Sequence, residues 1–257
     1  MPDKRINLNA DLGEGFGPWT MGDDAAMLDI VASANIACGA HAGDPDVMRR
    51  TVRLARERGV SIGAHPSYPD LQGFGRRAMA LSAAELENQI AFQIGALAGV
   101  AALEATRVTH VKPHGALNNL ACADHAVAET ICRAMRAVDP TLILLAPAAS
   151  QLLAAGRAAG RPVVEEIFAD RAYLPDGQLV PRSRPGAMVH GPANCLAHVL
   201  AMLEAGALIA ADGTRIATAI GSICVHGDSA DAVGVARHLR EQLGARGYSV
   251  VSLSEIA

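Results

Sequence analysis

Residues 7–17 read NLNADLGEGFG, and the register of this stretch decides the fold. In an extended chain successive side chains point to opposite faces, so Asn7, Asn9 and Asp11 share one face while Ile6, Leu8 and Ala10 take the other. A strand with an unbroken polar face and an unbroken aliphatic face is one whose polar side is enclosed. Gly13 and Gly15 let the backbone turn sharply out of the strand and carry Glu14 over its end.

The same alternation recurs along the chain. His110, Lys112 and His114 share a parity in VTHVKPHGALNN, as do Ser61, Gly63 and His65 in SIGAHPSYPD. Glu166, Phe168 and Asp170 align in EEIFADRAY, and Ser222, Cys224, His226 and Asp228 align in GSICVHGD. Strand-like runs near 5–12, 32–39, 60–66, 107–114, 141–147, 162–170, 216–226 and 248–253 alternate with helical patterns near 45–58, 82–104, 120–138, 149–159, 192–206 and 230–245. Ser82 with Glu85 has the spacing of a capping box. Alternating β and α units of this number predict a single α/β domain over residues 1–257, a parallel β/α barrel of seven or eight strands. In such a barrel the inward face at the C-terminal strand ends assembles the active site, where the polar residues gather.

Composition narrows the classes. The 257 residues are 51% apolar and 3% aromatic, as expected for an aliphatic, alanine-rich core. Net charge is −4 with no basic block, which argues against nucleic acid or an anionic membrane surface as a partner. Neither a signal peptide nor an uncharged apolar run of spanning length stands out, so the expected compartment is the cytoplasm. Five scattered cysteines form neither a disulfide framework nor a zinc knuckle. Cys38 reads as a buried inert thiol in preference to a nucleophile paired with His41. His125, His198 and His238 fall in helical patterns and are expected at the surface. The alanine-rich helices suit a homo-oligomer interface as well as a core.

The sequence contains neither GxxxxGK[ST] nor GxSxG, and no GxGxxG follows a strand. Carboxylates, imidazoles and one lysine around a pocket suit hydrolytic chemistry: a base activates water and a cation stabilises the oxyanion. Asp11, His65 and His114 have the ligand types for one divalent metal with open positions for water. Residues 171–192, with four prolines, read as a long loop or lid whose Arg171, Arg182 and Arg184 suit an anionic group.

Eight segments, INLNADLGEGFG, IACGAHAGD, GAHPSYPD, GFGRR, VKPHGALNN, EIFADRAY, LVPRSRPGA and ICVHGD, occur in the order found in the LamB/YcsF family, which the chain closely resembles from residue 6 to 228. The resemblance implies a distorted β/α barrel similar to sugar deacetylase barrels. It implies ATP-dependent cleavage of 5-oxo-L-proline (pyroglutamate), a cyclic amide, to L-glutamate, carried out with partner subunits B and C, with ATP and Mg handled through a partner. By the same resemblance Asp11, Glu14, His65, Lys112 and His114 are candidate catalytic residues. Asn7, Asn9, His41, Asp44, Asp170, Arg171 and His226 are candidates for substrate binding. A stand-alone metal-dependent amide or sugar deacetylase is the alternative.

Overall fold

The computed structural model describes residues 4–225 and 231–257. In chain order it contains β1 (Lys4–Leu12), α1 (Asp24–Leu28), β2 (Ser33–Ala37), α2 (Pro45–Glu57), β3 (Ser61–His65), α3 (Ala83–Leu103) and β4 (Val108–Val111). Then come α4 (Gly115–Ala123), α5 (His125–Val138), β5 (Ile143–Pro147), α6 (Gln151–Ala158), β6 (Val163–Phe168), α7 (Pro192–Ala205) and β7 (Ala207–Ile209). The chain ends with β8 (Arg215–Ala217), β9 (Ile220–Val225), α8 (Ala232–Ala245), β10 (Tyr248–Val250) and a short 3-10 turn.

Seven parallel strands, in the order β1-β2-β3-β4-β5-β6-β9, close into a barrel because β9 returns to pair with β1. The eighth strand, β10, pairs with β1 over Lys4–Ile6, while β9 pairs with Asn7–Ala10. One edge of β1 is thus shared, with β10 completing the barrel at its N-terminal end. The aliphatic parity of each strand faces the helices: Leu8, Ala10, Ala34, Ile36, Ile62, Ala64, Val111 and Leu144 are fully or almost fully buried between sheet and helices. The polar parity faces inward.

Local chemistry sets the helix starts. Asp44 caps α2 ahead of Pro45, Ser82 and Glu85 form the expected reciprocal box on α3, and Ser150 caps α6. α3 is long and apolar enough, by length and composition, to cross a membrane. Here it lies beside α2 and α5 and buries Leu86, Ile90, Ile94 and Leu97.

Three expectations are corrected. The helix read at 120–138 is two helices, because Asp124 leaves the helical conformation and its carboxylate caps α5; α4 begins earlier, at Gly115. The strand read at 216–226 divides into β8, which forms an antiparallel hairpin with β7, and β9, which enters the barrel. His198 and His238 are half-buried, and His198 stacks on Tyr173 with its Nε2 against the Arg171 carbonyl, 3.0 Å away.

Candidate active site

The inward side chains form one connected polar column. At the base, Asn7 donates to Ser33 Oγ and the Val251 carbonyl, each at 2.8 Å, and accepts from Ser222. One level up, Asn9 donates to Glu166 Oε1 at 2.8 Å and to Ser222 at 2.9 Å, and its oxygen accepts from Asn35 at 2.7 Å. Asn35 also donates to Asp11 Oδ1 at 2.9 Å, while its own oxygen lies 3.0 Å from His110 Nε2. So many buried polar groups are tolerated because nearly every one has a partner.

Lys112 sits on top of this column with its ammonium 3.0 Å from Asp11 Oδ1, 3.1 Å from Glu166 Oε1 and 2.9 Å from Cys224 Sγ. Burial works to lower its pKa, but Asp11, Cys224 and Glu166 outweigh that and hold it well above the ordinary lysine value. Its three N–H groups face four acceptors, Asn9 Oδ1 at 3.4 Å being the fourth, so the ammonium is committed to the column. Glu166 is pushed up by burial, against the pull of Lys112, and its Oε2 has no hydrogen-bond partner.

Above Lys112, three imidazoles converge with Glu14. His41 stacks on His114 with ring centroids 3.9 Å apart, and His65 meets His114 edge-on. His65 Nδ1 lies 2.6 Å from the Lys112 carbonyl and His114 Nε2 lies 2.9 Å from the Phe74 carbonyl. A carbonyl only accepts, so both of these nitrogens carry the proton. The inner nitrogens, His65 Nε2 and His114 Nδ1, therefore turn toward one another at 3.0 Å with lone pairs on both neutral rings. Burial, followed by His65, lowers His114 to about 3; burial, followed by His114, also takes His41 well below the usual imidazole value. Glu14 Oε1 lies 3.4 Å from both His41 Nε2 and His114 Nδ1. Donor atoms of Glu14, His41, His65 and His114 all fall within 4.8 Å of one another. Two facing lone pairs, a nearby carboxylate and an unpartnered His41 Nδ1 are the donor set that suits a divalent cation.

The β3–α3 loop presses these rings into place. Phe74 and Gly75 both adopt positive φ, +54° and +64°, in a turn held by the ion pair between Asp70 and Arg77. A Cβ on Gly75 would collide with Ser67 Oγ and come within 3.0 Å of His114 Cδ2. Only glycine lets the backbone pass this close to the imidazole.

A cavity of about 320 Å³ opens above Asp11, His65, Lys112 and His114. Arg76, Arg171 and Arg182 also line it, with Phe168, Leu179 and Pro181 as apolar wall. Arg171 is buried; one of its terminal nitrogens donates to the Val180 carbonyl at 2.8 Å, while its Nε has no partner.

The structure gathers Asp11, Glu14, His41, His65, Lys112 and His114 at one place, with Asn9 beneath and Arg171 beside the cavity. It places Asn7 at the barrel base, away from the cavity. Asp44 is taken up by the backbone N–H groups of Gly17, Asp46 and Val47, which makes it a helix cap. Asp170 follows β6, half-buried, and its carbonyl accepts from Val189. His226 lies outside the described residues. The expected metal triad of Asp11, His65 and His114 is altered: Asp11 leans on Lys112 and Asn35, and Glu14 and His41 join the imidazoles instead. Cys38 is buried, its thiol directed at the Ile36 carbonyl and pushed up to about 12 by burial, as an inert core thiol should be. Glu166, Asn35 and Arg76 were not among the expected site residues. Glu166 and Asn35 carry the polar-in-an-apolar-strand signature of Asn9, whereas Arg76 depends on a loop path that no periodicity encodes.

Comparison with known proteins agrees with this architecture. The chain is 58% identical to the protein from Azoarcus sp. (strain BH72) named as the A subunit of 5-oxoprolinase, covering 98% of both chains. It superposes on the crystal structure of a lactam utilization protein from Thermus thermophilus with a TM-score of 0.90 and 42% identity, over 96% of this chain and 99% of that one. The catalytic domain of a peptidoglycan N-acetylglucosamine deacetylase from Eubacterium rectale shares the barrel fold at a TM-score of 0.51 and 11% identity, over 98% and 90% of the two chains. The LamB/YcsF family model matches residues 6–257, and the chain belongs to that family.

Proposed function

We propose that this chain is the A subunit of an ATP-dependent 5-oxoprolinase, a hydrolase that opens the cyclic amide of 5-oxo-L-proline to L-glutamate in the cytoplasm. The observation that carries the reading is a small cavity floored by carboxylate, imidazole and buried ammonium in a chain 58% identical to a protein of that name. ATP, with its Mg, is handled by partner subunits B and C, and this barrel handles the ring.

The roles follow from the contacts. Lys112 and Asn35 fix Asp11 so that its Oδ2 meets His65 Nε2 at 3.3 Å. His65 and His114, each oriented by a backbone carbonyl, are placed to take a proton from water and return it to the ring nitrogen as the amide opens. Arg171 presents a fork to the substrate carboxylate. Glu14, His41, His65 and His114 would hold a divalent cation, which supplies Lewis-acid polarisation of a carbonyl or water when bound.

Glutamate release from 5-oxoproline, measured for the chain alone and with B and C, each with and without ATP, tests the reading. Turnover that requires partners and ATP is expected. Turnover by the chain alone without ATP would instead identify a stand-alone amide hydrolase.

A further inference from the structure

We propose that the cavity receives a ring substrate carrying two anionic groups, a carboxylate and a phosphoryl group: the O-phosphorylated lactam instead of the free lactam acid. The inference rests on the 5-oxoprolinase reading and deepens it.

The cavity holds more positive charge than 5-oxoproline can use. Arg76, Arg171 and Arg182 line one space of about 320 Å³, and Asp11 is the one acidic side chain in its described wall. Lys112 is already balanced by Asp11 and Glu166. The ion pairs of the described residues leave Arg171 and Arg182 without a carboxylate of their own. Arg171 is disfavoured as a cation first by burial and then by Arg182, with Arg76 adding to the repulsion. Three guanidiniums turned on one cavity cost stability that a bound anion repays.

Geometry divides the three. Arg171 is buried, held through Val180, and keeps an unpartnered Nε; its fork suits the single carboxylate of the ring. Arg76 and Arg182 are exposed at the mouth. The Arg76 guanidinium lies over the Phe74 ring, 5.1 Å from its centroid, and the Phe74 carbonyl orients His114. A group bound by Arg76 is therefore indexed to the imidazole cluster, where the amide carbon must lie. A phosphoryl group, with two negative charges and three acceptor oxygens, matches two further forks.

The species that fits is supplied by phosphoryl transfer from a nucleoside triphosphate to the lactam oxygen. The terminal P–O bond breaks with its electrons leaving on the diphosphate, a new O–P bond forms, and the ring N–H proton is released as the C=N bond forms. That reaction class precedes this barrel and belongs to a partner.

Calorimetric titration of the chain alone with inorganic phosphate, with 5-oxoproline, and with both together tests the proposal, using the wild type, Arg76→Gln, Arg182→Gln and Arg171→Lys. The two probes should bind together. Arg76→Gln and Arg182→Gln should each weaken phosphate by about tenfold or more while holding 5-oxoproline within about twofold, and Arg171→Lys should do the reverse. One-for-one competition between the probes, no phosphate binding, or phosphate binding indifferent to Arg76 and Arg182 would overturn it. Glutamate formation by the wild type with partners and ATP is measured in parallel: turnover alongside any of those results removes this proposal alone, and no turnover removes the function reading and this proposal with it.

Discussion

The Lys112 ammonium lies 3.1 Å from Glu166 Oε1, with both side chains shut inside the barrel. This pair, extended by Asp11, is the charge balance of the column, and removing the lysine leaves two buried carboxylates facing each other. Lys112→Met should destabilise the protein by about 3–5 kcal/mol in urea unfolding. Lys112→Met combined with Glu166→Gln should recover part of that loss, because one of the stranded charges is then gone. Equal stability of the single and double variants would mean that Glu166 carries no charge in the folded protein.

His114 is stacked, capped by a backbone carbonyl and directed at His65, so its contribution is geometric as well as chemical. His114→Ala should lower ATP-dependent glutamate formation by about 100-fold or more while far-ultraviolet circular dichroism is unchanged. Asp11→Ala should do likewise. Metal content of the purified protein, read by mass spectrometry after dialysis against zinc, should fall in His114→Ala and in Glu14→Gln. Near-normal turnover in both His114→Ala and Asp11→Ala would remove the two residues from the mechanism.

His110, deep in the barrel, gives a pH dependence with a definite sign. Burial, followed by Lys112, lowers it from 6.5 to about 3. The unfolded chain therefore binds a proton near pH 6.5 that the folded chain refuses until about pH 3. The stability tied to the neutral ring is complete above pH 6.5 and is lost as the pH falls. Between pH 7 and 5 this amounts to about 2 kcal/mol for a single histidine. Urea unfolding of His110→Gln should show a stability slope over that interval flatter by this amount, whatever its stability at pH 7. An unchanged slope would mean the ring is charged in the fold.

Gly75 and Gly95 provide opposite outcomes from one substitution. Gly75→Ala meets a positive φ, Ser67 and His114, and should lower both the melting temperature and turnover. On the exposed face of α3, a Cβ at Gly95 has nothing within 4 Å. Gly95→Ala should raise stability by about 1 kcal/mol with turnover unchanged, since alanine is the better helix former.

Much of this site was legible in the sequence because a strand has a period of two. Asn9, Asp11, His65 and Lys112 each announce an inward face by alternating with aliphatic neighbours, and the barrel follows from the succession of such strands. The same logic covers Glu166, which shared a face with Phe168 but whose pairing with Lys112 depends on which strands meet across the barrel. Asp44 shows the converse: an acidic residue beside a histidine and a glycine-rich turn looks functional, yet a following proline and helix make it a cap. Arg76 and Phe74 owe their positions to a turn fixed by Asp70 and Arg77, a tertiary contact that local pattern does not report. The Asp124 break was readable as a cap signal, but continuous apolar periodicity on both sides outweighed it.

The shared edge of β1 has a consequence for how the chain acquires its structure. Asn7 and Asn9 find their partners at Ser222, Glu166 and Val251, sequence separations of 215, 157 and 244 residues. The first strand made is thus among the last to be satisfied, and its polar row stays hydrated until the C-terminal residues arrive. Long-range closure of this kind slows folding and leaves an unpaired strand exposed in the meantime. During synthesis the barrel cannot close before its final strand has left the ribosome, so truncation by even the last ten residues should yield an aggregating chain instead of a smaller enzyme.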